Sequence, residues 1–156
     1  MRKRIVKKNI KEKQTSKYNW LNLESLAEVE LSSEDEAYPI EAALIPGSDS
    51  CWRATEAGEQ TLRLLFDAPQ QIKLVRLEFH EDDQERTQEF VLRWSADSYT
   101  FHDIARQQYN FSSPDSSREL EDYCVDLNGV TALELCIIPD ISKGSARASL
   151  ASWGVA

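Results

Sequence analysis

From Gln60 onward, apolar side chains recur at every second position, and this constrains the chain more than any other feature. Leu62, Leu64 and Phe66 alternate with Thr61, Arg63 and Leu65, and Val75, Leu77 and Phe79 alternate with Arg76, Glu78 and His80. Phe90, Leu92 and Trp94 alternate with Val91, Arg93 and Ser95. A period of two sends one side of a strand into a core and the other into water. Further strands are expected at Tyr99–Ala105, Glu119–Leu127, Thr131–Ile138 and Arg147–Val155. Turns of Asp, Ser, Gly and Pro separate these segments, and no long helical pattern interrupts them. The predicted fold is an all-β, antiparallel jelly-roll β-sandwich.

Upstream of the alternation the signals are mixed. Asn22–Glu30 starts either as a helical turn capped by Asn22 or directly as the first strand through Val29 and Leu31, with the strand preferred. Ser32–Tyr38 is an acidic turn. Pro39 stands where a short helix would begin, with Ile40, Ala43 and Leu44 on its inner face. A chain of 156 residues suits one domain with a core of its own. No apolar run reaches the ~18 residues of a membrane span. No apolar stretch follows the basic residues of Met1–Lys17, so a secretory leader is not expected and the location read is cytoplasmic. Cys51, Cys124 and Cys136 suit no zinc site, and buried free thiols are expected.

Charge divides the chain. Residues 1–17 hold eight of the 18 Lys and Arg residues and one acid, Glu12. Residues 18–156 hold 10 basic and 26 acidic residues, a net charge of −16. The expected organisation is a basic arm over 1–17 and a sandwich domain over 18–156. So acidic a body repels phosphate backbones, and nucleic acid is a partner only through the arm.

A set of ordered landmarks adds a family resemblance. They are Trp52-Arg53-Ala54 with Gly58, Thr87-Gln88-Glu89-Phe90 running into Trp94-Ser95-Ala96-Asp97, Arg106–Ser112, and Pro139–Ser142 before Ala148-Ser149-Leu150. Over about Leu26–Ala156 the chain resembles the discoidin (F5/8 type C), galactose-binding-like domains, most nearly the amino-terminal domain of the X-ray cross-complementing repair scaffolds. The resemblance implies the galactose-binding-like sandwich, a binding rather than catalytic role, and ligands held by loops at one end. The final segment Ala148–Trp153 has no carboxylate of the kind that would help hold a structural calcium, so no metal is expected.

The chemistry-bearing residues agree with a non-enzymatic reading. His80 and His102 lie in strand-like surroundings with no Ser or Cys at a nucleophile turn, and the five glycines form no phosphate loop. The run Glu81-Asp82-Asp83-Gln84-Glu85 reads as a solvated hairpin tip. No cofactor is implied. Planar side chains that give paired hydrogen bonds suit a saccharide, as does an aromatic face for stacking. The candidate ligand-binding residues are Trp52 and Arg53 on one loop, and Arg106, Gln107, Gln108, Tyr109 and Asn110 on another. Each has a structural alternative. Trp52 plugs the end of the sandwich, Arg53 grips the acidic loop Ser33–Glu36 by bidentate pairing, and Arg106–Gln108 finish a strand with Tyr109 or Phe111 buried. The preferred function is a non-catalytic module for a carbohydrate-type small ligand, and the alternative is an intracellular protein scaffold offering a sheet edge.

Overall fold

The computed structural model describes residues 18–156, so the basic arm and the partners expected of it lie outside the described residues. Among the described residues, eight strands and two single-turn helices follow in the order α1 (Leu23–Leu26), β1 (Ala27–Leu31), α2 (Glu41–Leu44), β2 (Trp52–Ala57), β3 (Gln60–His80), β4 (Arg86–Ser95), β5 (His102–Phe111), β6 (Arg118–Ile138), β7 (Arg147–Leu150) and β8 (Ser152–Val155). Among the described residues no helix is long and apolar enough to cross a membrane.

Two 21-residue strands, β3 and β6, build the sandwich. The first half of β3 pairs with β1 and with the second half of β6. Its second half pairs with β8 and with the first half of β6. The second half of β6 also pairs with β4, and β4 with β5. One layer therefore runs β1-β3-β6-β4-β5, the same two long strands continue into a layer with β8, and β2 and β7 form a separate ribbon. All pairings between these strands are antiparallel. The register slips between Leu65 and Leu74, where β3 turns from one layer to the other. Its inward residues change parity there, from Leu62, Leu64 and Phe66 to Val75, Leu77 and Phe79, because a one-residue slip exchanges the faces.

The alternating residues and the two tryptophans make the core. Trp52, Leu62, Leu64, Ile72, Leu77, Phe79, Leu92, Leu133 and Leu135 are fully buried, with Trp153, Phe90 and Phe111 beside them. The expected short helix forms after Pro39, and Ile40, Ala43 and Leu44 are buried. The Glu34 carboxylate accepts a hydrogen bond from the Ile40 N–H at 3.1 Å, which holds the acidic turn against this helix. At Asn22 both readings hold in sequence: α1 forms first without a side-chain cap, and β1 follows directly.

Several boundaries differ from expectation. Glu119–Leu127 and Thr131–Ile138 are halves of one strand, β6. Arg147–Val155 divides at Ala151, whose N–H donates to the Glu78 carbonyl. Tyr99–Ala105 moves on to His102–Phe111, because Asp97 fastens a turn ahead of it. Its Oδ1 accepts from the Tyr99 and Thr100 N–H groups at 2.8 and 2.7 Å and from Ser95 Oγ at 2.8 Å. These bonds, those from Thr100 and Tyr99 above all, hold the Asp97 carboxyl far below the usual range. The cysteines are free but not buried, since Cys124 is exposed on the outward parity of β6 and the other two are half-exposed.

Candidate ligand-binding site

β3 ends at His80 opposite Arg118, while β6 ends at Ile138 opposite Glu89, so segments 32–38, 45–51, 81–85, 112–117 and 139–146 gather at one end. Here the outward parity of β3 supplies Arg76, Glu78 and His80, with Val75, Leu77 and Phe79 as their core-facing neighbours. Segment 45–51 and the 81–85 connection close over this face. A cleft of about 720 Å³ results, lined by Tyr38, segment 47–51, Arg53, Arg76, Glu78, His80 and residues 81–83, with Ser149 and Ser152.

Its walls are held by charge pairs. Arg76 Nε and Nη2 donate to the two Asp122 oxygens at 2.6 and 2.8 Å. Carboxylate hydrogen bonding raises the Arg76 pKa further, against the effect of burial. Glu78 accepts from Arg118 through Oε1 and lies 2.9 Å from His80 Nε2 through Oε2. Arg86, whose side chain is 1% exposed, donates from Nε to Glu81 at 2.6 Å and from Nη1 to the Pro139 carbonyl at 2.7 Å. Burial pushes the Glu81 carboxyl up, but the hydrogen bonds from Arg86 and the Asp83 N–H outweigh it and lower its pKa. The Arg53 guanidinium lies over the Tyr38 ring, 4.7 Å from its centroid. Two guanidinium groups, an imidazole, five carboxylates and serine hydroxyls thus border one cavity, a mixture of donors and acceptors suited to a polyhydroxylated ligand.

The sequence candidates are divided by the structure. Arg53 lines the cleft. Trp52 is fully buried and its Nε1 donates to the Ser33 carbonyl at 3.1 Å. It plugs the sandwich end and has no face to offer a ligand. Arg53 does not grip the acidic loop through its side chain as expected: Asp35 is instead met by Arg147 at 3.5 Å. The Arg106–Asn110 cluster is not a loop. It is the body of β5, an edge strand, and period two divides it between faces. Arg106, Gln108 and Asn110 are exposed, while Gln107 and Tyr109 are half-buried. Several of the five are already engaged: Arg106 lies 3.6 Å from Glu89, Asn110 Oδ1 accepts from Thr87 at 2.7 Å, and the Tyr109 hydroxyl donates to the Arg118 carbonyl at 3.0 Å. Gln107 Nε2 donates at 3.4 Å to the Gln108 carbonyl. None of the five lines the cleft.

The sequence reading does not single out Tyr38, Arg76, Glu78 and His80 as ligand-binding candidates, yet all four line the cleft. The signal was present in the outward positions of β3, where three hydrogen-bonding residues share one face up to a strand end. A second, more apolar cleft of about 540 Å³ lies at Glu89, Ile138–Ile141 and Lys143.

No family model and no curated protein matches the chain. Solved structures do. A family 32 carbohydrate-binding module of Clostridium perfringens, in complex with GalNAc-β-1,3-galactose, matches with a TM-score of 0.66 at 16% identity, over 88% of this chain and 99% of that one. The family 32 module of C. perfringens NanJ, in complex with galactose, matches with a TM-score of 0.64 at 10% identity, over 87% and 96%. Chitosan-binding module 1 of a chitosanase/glucanase from Paenibacillus sp. IK-5 matches with a TM-score of 0.57 at 16% identity, over 87% and 98%. The chain therefore has the galactose-binding-like β-sandwich fold of these carbohydrate-binding modules.

Proposed function

We propose that this protein is a non-catalytic carbohydrate-binding module, and that the cleft beside the end of β3 holds the saccharide. The observation that carries the reading is the convergence of Arg53, Glu78 and His80 on one open cavity next to the Tyr38 ring. Planar donors and acceptors match the paired hydroxyls of a pyranose, and the half-buried Tyr38 ring supplies apolar surface beside them. Saccharide complexes of structurally similar modules support the same reading. A shallow, open site of this kind gives modest affinity.

Isothermal titration of alanine variants against the saccharide that binds tests the assignment. Arg53→Ala and His80→Ala weaken binding about tenfold or more, the loss of one or two hydrogen bonds to charged or polar groups. Arg106→Ala and Asn110→Ala leave it unchanged. The reverse pattern moves the site to β5. A second reading, an intracellular scaffold like the repair-scaffold domains, is favoured by β5 itself. Among the described residues one of its edges is unpaired from His102 to Phe111, which suits strand addition by a partner protein. A partner cross-linked to β5, with the cleft unoccupied, supports that reading instead.

A further inference from the structure

Beside the cleft, β8 carries a second hollow built around two tryptophans. The Leu21 N–H donates to the Val155 carbonyl at 2.8 Å and so lays the chain before α1 along this strand. Trp20 is thereby brought over Gly154, the half-exposed residue between buried Trp153 and Val155, which pairs with Arg76 in the register. The approach is close: a Cβ on Gly154 would lie 2.9 Å from Trp20 Cζ3, so a side chain there would push the ring away. The Arg76 guanidinium, held by Asp122, lies 5.4 Å from the Trp20 ring centroid. Although gripped in this way, Trp20 stays 38% exposed. The hollow next to it, of about 250 Å³, is lined by Leu44, Pro46, Gly47, Ser152 and Trp153. Gly47, Arg76 and Ser152 line the cleft as well, so the two hollows adjoin. Trp153 is 1% exposed, and its Nε1 donor meets no acceptor among the described residues. A buried N–H left without a partner costs free energy that an acceptor oxygen recovers.

We infer that this hollow is a second sugar subsite, an inference that rests on the carbohydrate-binding reading. The saccharide held in the cleft continues onto Trp20. There its next pyranose stacks a face of C–H groups on the indole and offers an oxygen to Trp153 Nε1. Among the described residues Arg76 is the one charged group in the lining, and Asp122 already neutralises it, so an uncharged ring is the fitting occupant. The ligand class is therefore a neutral oligosaccharide rather than a single sugar. Because the two rings are joined, the second adds its contacts without a further loss of translational freedom. One stacked face and one hydrogen bond raise affinity about tenfold.

NMR titration of the full chain tests this, read at the cleft amides of Arg53, Glu78 and His80 and at the tryptophan indole N–H signals. Methyl glycosides of galactose, glucose and N-acetylglucosamine are compared with trimers of the same sugars and with p-nitrophenyl galactoside. The expected result is one trimer that binds about tenfold more tightly than its methyl glycoside. That trimer moves the indole signals of Trp20 and Trp153, while the signal of Trp52, bonded to Ser33, stays in place. Trp20→Ala brings the trimer down to its methyl glycoside and leaves the methyl glycoside unchanged. Gly154→Ala, which displaces the ring without deleting it, weakens the trimer alone, and Trp20→Phe retains part of the gain. Equal affinity for every trimer and its methyl glycoside, or a trimer indifferent to Trp20→Ala, overturns the subsite and leaves the carbohydrate reading standing. A methyl glycoside weakened by Trp20→Ala as much as its trimer overturns it too. So does a nitrophenyl glycoside that matches the trimers, which assigns the hollow to an apolar aglycone. A panel that moves neither the cleft amides nor the indoles overturns both readings.

Discussion

The Glu119 carboxyl makes the stability of this fold depend on pH in an unusual direction. Glu119 is 1% exposed on the inward parity of β6; one oxygen accepts from Gln88 Nε2 at 3.3 Å and the other has no hydrogen-bond partner. Burial, then the neighbouring Glu121 carboxylate, push its pKa to about 8, against smaller opposing effects of Gln88 and Arg86. The ordinary carboxyl value is 4.5. Between these values the native state keeps a proton that the unfolded chain releases, so stability falls as pH rises from about 4.5 through 8. The full separation corresponds to ~5 kcal/mol. The effective dielectric of a protein interior, well above that of a dry medium, reduces the figure to ~2 kcal/mol. Urea denaturation at pH 6 and pH 9 measures it. The wild type loses ~1 kcal/mol across that interval, which holds little more than half of the separation, a lowering of the midpoint by about 0.5 M at an ordinary urea slope. Glu119→Gln, which keeps the shape and cannot ionise, removes most of the loss. A wild type equally stable at both values, or a Gln variant with the same slope as the wild type, refutes the reasoning.

Two further outcomes follow from the packing. Trp52→Ala removes a fully buried ring and its bond to Ser33, and lowers unfolding stability by ~3–5 kcal/mol in a denaturant titration; a loss below 1 kcal/mol contradicts the plug role. Arg86→Ala strips the buried partner of Glu81 and frees the Pro139 carbonyl, at a cost of ~3–5 kcal/mol by the same measurement.

The strands were legible because alternation is a local signal. Leu62, Leu64 and Phe66 point inward whatever the rest of the chain does, and so do Val75, Leu77 and Phe79. That the two runs belong to one strand was not legible, since Asp67-Ala68-Pro69 carries the composition of a turn. In the fold this exposed stretch is the bend by which β3 passes from layer to layer. Arg106–Asn110 misled for a related reason. A strand at the sheet edge is wetted on more than one side, so its polar composition imitates a loop. The cleft itself depends on segment 45–51 landing on the outward face of Arg76, Glu78 and His80, a contact between distant parts of the chain. No periodicity encodes such a landing. Asp82 and Asp83, which line it, read in sequence only as part of a solvated hairpin tip.

A crystal structure of the protein soaked or grown with a bound saccharide tests the central claim most directly. The account expects sugar density in the cleft, with ring hydroxyls within hydrogen-bond distance of Arg53 and His80 and the ring against Tyr38. Sugar bound along β5 at Arg106–Asn110, with the cleft filled only by water, contradicts it.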